Sequence, residues 1–201
     1  NDPRPEITLT AEAGATITAV IVGVVVGVTQ DSTDNTAWSA TPMSDLVNGV
    51  YTITVTATDG AGNEATDNQI LLVDLSPPDV LIDDNYDDEP NDAAARTNDV
   101  TPEITGVTNA SAGQIVTVIF GLLDTAGQVT QTAVAQAVVQ VDGTWNVIPL
   151  LYEGVWSVEA AVTDAAGNVG KFTQVLTVDT TAPALTVSSS DVTNDNTPRI
   201  V

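Results

Sequence analysis

The string Asp59-Gly60-Ala61-Gly62-Asn63 returns as Asp164-Ala165-Ala166-Gly167-Asn168, and each copy precedes an apolar run closing on Val-Asp, at Val73-Asp74 and Val178-Asp179. Carboxylate and amide oxygens are hard ligands, and the chain has no His and no Cys. The chemistry open to these residues is therefore coordination of a hard divalent cation, calcium above all, rather than zinc binding or thiol and imidazole catalysis. The same residue types also make turns without any metal, because Asp and Asn side chains bond the backbone two residues on and Gly accepts a positive φ.

Charge narrows the partners further. Twenty-seven Asp+Glu against four Lys+Arg leave a net charge of −23. Phosphate backbones need a basic footprint, so nucleic acid is excluded as a partner, and anionic membranes are disfavoured. Acidity on this scale serves solubility or cation binding. Hydrophobic residues make up 43% of the chain, more than a disordered acidic tail carries, whereas aromatics are 4%. Val, Ile, Thr and Ala must then do the packing, and these favour strands. The absence of Cys leaves the redox compartment open, and no signal-peptide pattern is present. The longest apolar run, residues 19–28, falls well short of the roughly 20 residues a membrane helix needs. It reads as a buried strand, and direct membrane insertion is not expected.

Both landmarks recur at an offset of 105 residues. A period of that length implies two stacked domains rather than a thin solenoid. Residues 51–58 alternate strictly between apolar residues and Thr, the period-2 signature of a strand with one face in a core. Residues 155–162 hold the matching place. The Asp-x-x-Gly-Asn turn then reverses the chain into residues 69–73 or 172–178. Upstream, 6–13 matches 103–108, followed by 16–22 and 114–120, with Trp38 and Trp145 in comparable central positions. Short strands broken by Gly, Asn, Asp and Pro at intervals of about ten residues predict an all-β fold, two tandem immunoglobulin-like antiparallel β-sandwiches.

A second element fixes the frame: Thr97-Asn98-Asp99-Val100-Thr101-Pro102 recurs as Thr193-Asn194-Asp195-Asn196-Thr197-Pro198, with Asn1-Asp2-Pro3-Arg4-Pro5 as a degraded third copy. Prolines open the segment before it, followed by one more strand at 80–82 or 185–187. The expected division is a repeat over 1–77 without its opening strand, a repeat over 78–180, and the start of a third over 181–201, as in a piece of a longer array. An acidic insertion occupies 83–95, since Pro78 to Pro102 spans 24 positions and Pro183 to Pro198 only 15.

The series Thr-Asn-Asp-x-Thr-Pro, Ala-Thr-Asp-Gly-Ala-Gly-Asn, Val-Thr-Asp-Ala-Ala-Gly-Asn and Val-Asp-Thr-Thr-Ala-Pro resembles the bacterial immunoglobulin-like repeats of the extender region of giant secreted RTX-type adhesins. The resemblance covers both repeats nearly end to end. It implies an extracellular, cell-surface stalk that projects a distal adhesive domain in cell adhesion and biofilm formation. It also implies calcium at the domain junctions, export by type I secretion, and neighbouring repeats of the same polypeptide as partners of an otherwise monomeric chain.

Strand direction places the ligands. The hairpin between the last two strands lies where the chain enters a sandwich, and the last strand ends at the opposite pole, so Asp59 and Asp74 cannot share a site. A junction site should instead combine Asp2, Asp74, Asp164 and Asn168. Asp59 and Asn63 form a half-site facing a preceding domain; Asp99 and Asp179 form one facing the next. Asp83, Asp84, Asp87 and Asp88 in the insertion are second-site candidates, although they lack the Gly-bearing pattern of an EF-hand. Trp38, Trp145 and Trp156 are expected to pack rather than to form a sugar platform. No cleft-forming insertion accompanies any acid pair, so an enzyme is not expected. The alternative readings are a glycan- or protein-binding module, or an accessory sandwich of a secreted hydrolase.

Overall fold

The computed structural model describes residues 2–83 and 95–187. Asp84, Asp87 and Asp88 lie outside the described residues, as does the chain beyond residue 187. The described residues contain fourteen strands and no helix. The first six are β1 (Ile7–Thr10), β2 (Thr16–Ile21), β3 (Val26–Gln30), β4 (Ala37–Pro42), β5 (Gly49–Thr58) and β6 (Glu64–Val73). They form two three-stranded sheets, ordered β1-β4-β3 and β2-β5-β6.

The alternation in β5 works as expected. Ile53 is fully buried, while the threonines between the apolar positions face outward and pair across the hairpin: Thr54 Oγ1 donates to Asn68 Oδ1 at 2.7 Å, and the Thr56 and Thr66 hydroxyls lie 3.1 Å apart. Such cross-strand pairs are what hold a sheet face that has no core to lean on.

The second unit contains β7 (Val80–Ile82), β8 (Ala95–Thr97), β9 (Ile104–Thr108), β10 (Ile115–Leu123), β11 (Val129–Val138), β12 (Thr144–Val147), β13 (Gly154–Thr163) and β14 (Val169–Val178). Its sheets run β12-β9-β7 and β11-β10-β13-β14-β8, the last pairing parallel. Its core is much the larger of the two, built around Phe120, Trp145, Leu151, Trp156 and Leu176, against Ile21, Ala40, Leu46, Ile53 and Val73 in the first. Trp145 and Trp156 are buried, and Trp156 Nε1 donates to the Tyr152 carbonyl at 2.9 Å. Trp38 is only half-buried.

Two expectations need correcting. Residues 19–28 are not one buried strand: the chain turns at Val22–Gly23, where Gly23 has φ 78°, and passes from β2 in one sheet to β3 in the other. Val22 and Val25 are exposed at this corner. The equivalent β11 stays beside β10, so the two repeats differ in where their third strand pairs. Residues 185–187 form no strand, because no described strand lies beside them.

Candidate junction site

The repeated turn has the same construction in both units. Asp59 N donates to Asn63 O and Gly62 N to Asp59 O; Asp164, Gly167 and Asn168 repeat the pattern. Gly62 and Gly167 sit at φ 86° and 87°, a region closed to most side chains. The carboxylate then closes the loop: Asp59 Oδ1 accepts from Ala61 N and Asn63 N at 2.8 Å each, and Asp164 Oδ1 from Ala166 N and Asn168 N at 2.9 Å each. Asp124-Thr125-Ala126-Gly127-Gln128 builds the same turn, with Asp124 Oδ1 accepting from Ala126 N and Gln128 N at 2.9 and 2.8 Å. The Asp in this motif is thus a turn former wherever it occurs. What distinguishes the two end-of-sandwich copies is the terminal Asn.

Asn168 reaches across the domain boundary. Its Nδ2 donates to the Asp74 carbonyl oxygen at 3.1 Å and to Asp164 Oδ2 at 2.9 Å, and the residue is 3% exposed. Asn63, in the same place on the first unit, donates only to Asp59 Oδ2 and is exposed. The structure therefore brings Asp74, Asp164 and Asn168 together. Asp74 enters through its backbone, while its carboxylate accepts from Ser76 N at 3.1 Å.

Two further asparagines pin the linker, and neither was singled out by the sequence. Asn48 Oδ1 accepts from Leu75 N at 2.7 Å, and its amide bonds Ser76 Oγ. On the other side Asn109 Oδ1 accepts from Asp79 N at 2.8 Å, and Thr108 Oγ1 donates to Asp79 O at 2.5 Å. Pro78 is buried between them, so close to β14 that a Cβ on Gly170 would lie 1.9 Å from its carbonyl oxygen. A linker whose polar groups are met by side chains of both neighbours is restrained far more than a solvated one.

The other expected ligands are dispersed. Pro3 O accepts from Leu46 N, which sets Asp2 at the exit pole, but its carboxylate accepts from Arg4 N at 2.8 Å and no hydrogen bond joins it to Asp74, Asp164 or Asn168. Asp99 caps its own turn through Thr101 N and Oγ1 at 2.7 and 2.9 Å, and Asp179 Oδ1 accepts from Thr181 N at 3.0 Å. Asp179 N bonds Thr97 O, bringing those two segments to one pole. Asp83 extends the β7 pairing, with Thr105 Oγ1 donating to its Oδ2 at 3.0 Å. At the repeat position of Asn48 stands Glu153, whose carboxylate accepts from the Thr180 and Thr181 hydroxyls at 2.7 and 2.8 Å. These bonds, Thr180 first, hold its carboxyl below the ordinary glutamate range.

A groove of about 470 Å³ opens at the boundary, lined by Asp74, Ser76, Asn109, Ser111 and Asp164 among others. Its donors are all hard oxygens, which suits calcium, but only two are carboxylates. Among the described residues no three acidic side chains converge as a metal cluster.

Two β-sandwiches in series, joined by a short linker that both domains grip, define a tandem immunoglobulin-like protein. The chain belongs to the bacterial Ig-like domain family, whose model matches residues 1–75 and again 74–180. No curated protein matches the sequence. Among solved structures, a tetra-tandem repeat in the extending region of a large adhesion protein is similar at 23% identity, over 94% of this chain and 48% of its own, with a TM-score of 0.43. A 1.5-MDa bacterial ice-binding adhesin is similar at 21% identity, over 92% and 61%, with a TM-score of 0.43. The fibronectin(III)-like modules of Clostridium thermocellum CbhA give 13%, 88%, 86% and 0.41. The chain spans about half the length of the first of these structures.

Proposed function

We propose that this chain is a spacer in the stalk of a bacterial surface adhesin, exported from the cell, where it holds consecutive sandwiches at a set angle and so projects a distal binding domain. The observation that carries the reading is the buried Asn168 amide on the Asp74 carbonyl, flanked by Asn48 and Asn109 on either side of the linker. A ligand-binding module has no use for a linker gripped from both ends; a strut does.

Calcium belongs to the same proposal. The Asp74 and Asp164 carboxylates, with backbone carbonyls of the linker, would hold the ion, which supplies positive charge where two acidic poles meet. A site with two carboxylates falls in the weak range of extracellular modules, with a Kd of about 0.1–1 mM. Small-angle scattering and thermal melting of the chain in EDTA and in millimolar calcium test both parts. The expected result is a longer maximum dimension and a higher Tm with calcium, both reduced in Asp74→Asn/Asp164→Asn. Unchanged curves would remove calcium from the reading. A broad interdomain angle distribution that persists in both conditions would remove the strut.

A further inference from the structure

Asn48 is followed by Gly49, and no other asparagine of the chain precedes a glycine. That pair has a reaction of its own. The main-chain nitrogen after an asparagine can attack the side-chain carbonyl carbon and close a ring, most readily when the next residue is glycine, which puts no Cβ in the way. Asn48 is exposed, so water reaches it. Its neighbours suit the attack. Leu75 N donates at 2.7 Å to Oδ1, the atom on which negative charge builds, and Ser76 Oγ lies against Nδ2, the nitrogen that must leave. Gly49 opens β5 and pairs with Val73, the last residue of β6, so its main chain sits on the terminal rung of that ladder, where local opening costs least. Asn168, by contrast, precedes Val169 and is 3% exposed.

We propose that Asn48 deamidates spontaneously in the folded chain and that the fold accepts the product. Gly49 N gives up its proton and bonds to Asn48 Cγ; the Cγ–Nδ2 bond breaks, and the nitrogen departs as ammonia with a proton from solvent. Water then opens the succinimide. Cleavage between the ring nitrogen and Cγ leaves aspartate on an unaltered main chain, whereas cleavage between that nitrogen and the Asn48 main-chain carbonyl carbon leaves isoaspartate. The second unit indicates why aspartate fits. One repeat later, at Glu153, a carboxylate already holds the linker, accepting from the Thr180 and Thr181 hydroxyls. An aspartate at position 48 keeps one oxygen for Leu75 N, and its other oxygen accepts from the Ser76 hydroxyl, which turns from acceptor to donor. One negative charge is added beside Asp74, whose own carboxylate accepts from Ser76 N. The boundary ages from an amide-pinned form to a carboxylate-pinned one without losing its grip. Isoaspartate, with a methylene added to the main chain, does not preserve it.

Peptide mapping by mass spectrometry of the full chain, held at neutral and at mildly alkaline pH beside a synthetic peptide of residues 44–52, tests the chemistry. The expected result is the amide-to-acid mass increase at Asn48, faster at the higher pH and divided between aspartate and isoaspartate. Gly49→Ala places a Cβ 3.6 Å from the Tyr51 ring, an ordinary contact that the fold tolerates. It should convert several-fold more slowly. A folded chain still intact at Asn48 after the peptide has converted, or a Gly49→Ala chain converting at the parent rate, would overturn the proposal. Thermal melting tests the product. Asn48→Asp should melt with the parent, while Asn48→Ala, which leaves Leu75 N without its acceptor, should melt lower. An Asn48→Asp chain as unstable as Asn48→Ala would show that the fold does not accept the carboxylate and would overturn that part.

Discussion

Asn168 Nδ2 stands 3.1 Å from the Asp74 carbonyl oxygen and 2.9 Å from Asp164 Oδ2, so one buried amide spends both of its hydrogens joining the entry turn of one sandwich to the exit of the other. Its main chain is committed as well, its N–H to Asp164 Oδ1 and its carbonyl to Asp164 N. A side chain with all its donors used and 3% exposed has little freedom left. The boundary inherits that rigidity.

Removing the amide should therefore loosen the boundary. Asn168→Ala leaves the half-buried Asp74 carbonyl and an Asp164 oxygen without their partner and empties the buried position of the amide, at a cost of about 1–3 kcal/mol. Asn63→Ala removes the equivalent side chain from an exposed turn that touches no neighbour, and should cost about 0.5–1 kcal/mol. Urea unfolding compares the two. Hydrogen exchange at Leu75 and Asp79 should accelerate in Asn168→Ala and stay unchanged in Asn63→Ala.

Two glycines are fixed by close approach rather than by turn geometry. A Cβ at Gly170 would meet Pro78 O at 1.9 Å, and one at Gly106 would meet Leu81 O and the Trp145 ring at 2.2 and 2.3 Å. Backbone cannot yield cheaply, so Gly170→Ala and Gly106→Ala should each destabilise the second unit by about 1–3 kcal/mol. Gly60→Ala, with nothing within 4 Å and no positive φ, should be neutral. Thermal melting of the three variants checks the order.

The parts legible in sequence were those with strong local patterning. Strict alternation marked β5, the Asp-x-x-Gly-Asn string marked the hairpins, and strand direction within the repeated unit placed Asp164 and Asn168 next to Asp74. Three things were not legible. The passage from β2 to β3 at Gly23 lies inside an unbroken apolar run, and both sheets accept such residues. Asn48 and Asn109 sit in loops whose partners are fixed only by tertiary structure. That Asp74 contributes its carbonyl, with its carboxylate turned to Ser76, depends on how the linker leaves β6, which no residue type announces. A signal did exist for the turn: the third copy at Asp124, without the Asn, separates turn-forming Asp from boundary-forming Asn.

The turn carboxylates tie stability to pH. Asp164 is held below the ordinary aspartate range, first by the Asn168 side-chain amide, and Asp59 likewise by that of Asn63. A lowered folded pKa contributes stability that is complete above the unfolded value and lost as pH falls through the folded one. Tm should thus hold level above about pH 5 and fall on acidification below about pH 4. Asp59→Asn and Asp164→Asn should flatten that fall, read from melting curves between those limits and about pH 2.

Asn168→Asp separates the hydrogen-bonding role of the boundary from its proposed ion. The substitution replaces two donated hydrogens with a carboxylate facing Asp164 Oδ2 and the Asp74 carbonyl, acceptors against acceptors. Without metal, two carboxylates in one small site repel, and one of them takes up a proton more readily than a lone aspartate does. The variant should melt below the parent chain at neutral pH and recover part of the difference near pH 5. Calcium should recover more, because a third carboxylate beside Asp74 and Asp164 strengthens a hard-oxygen site. Recovery on acidification with no response to calcium would leave the asparagine lock standing and exclude the ion, and the comparison needs only melting curves at two pH values with and without calcium.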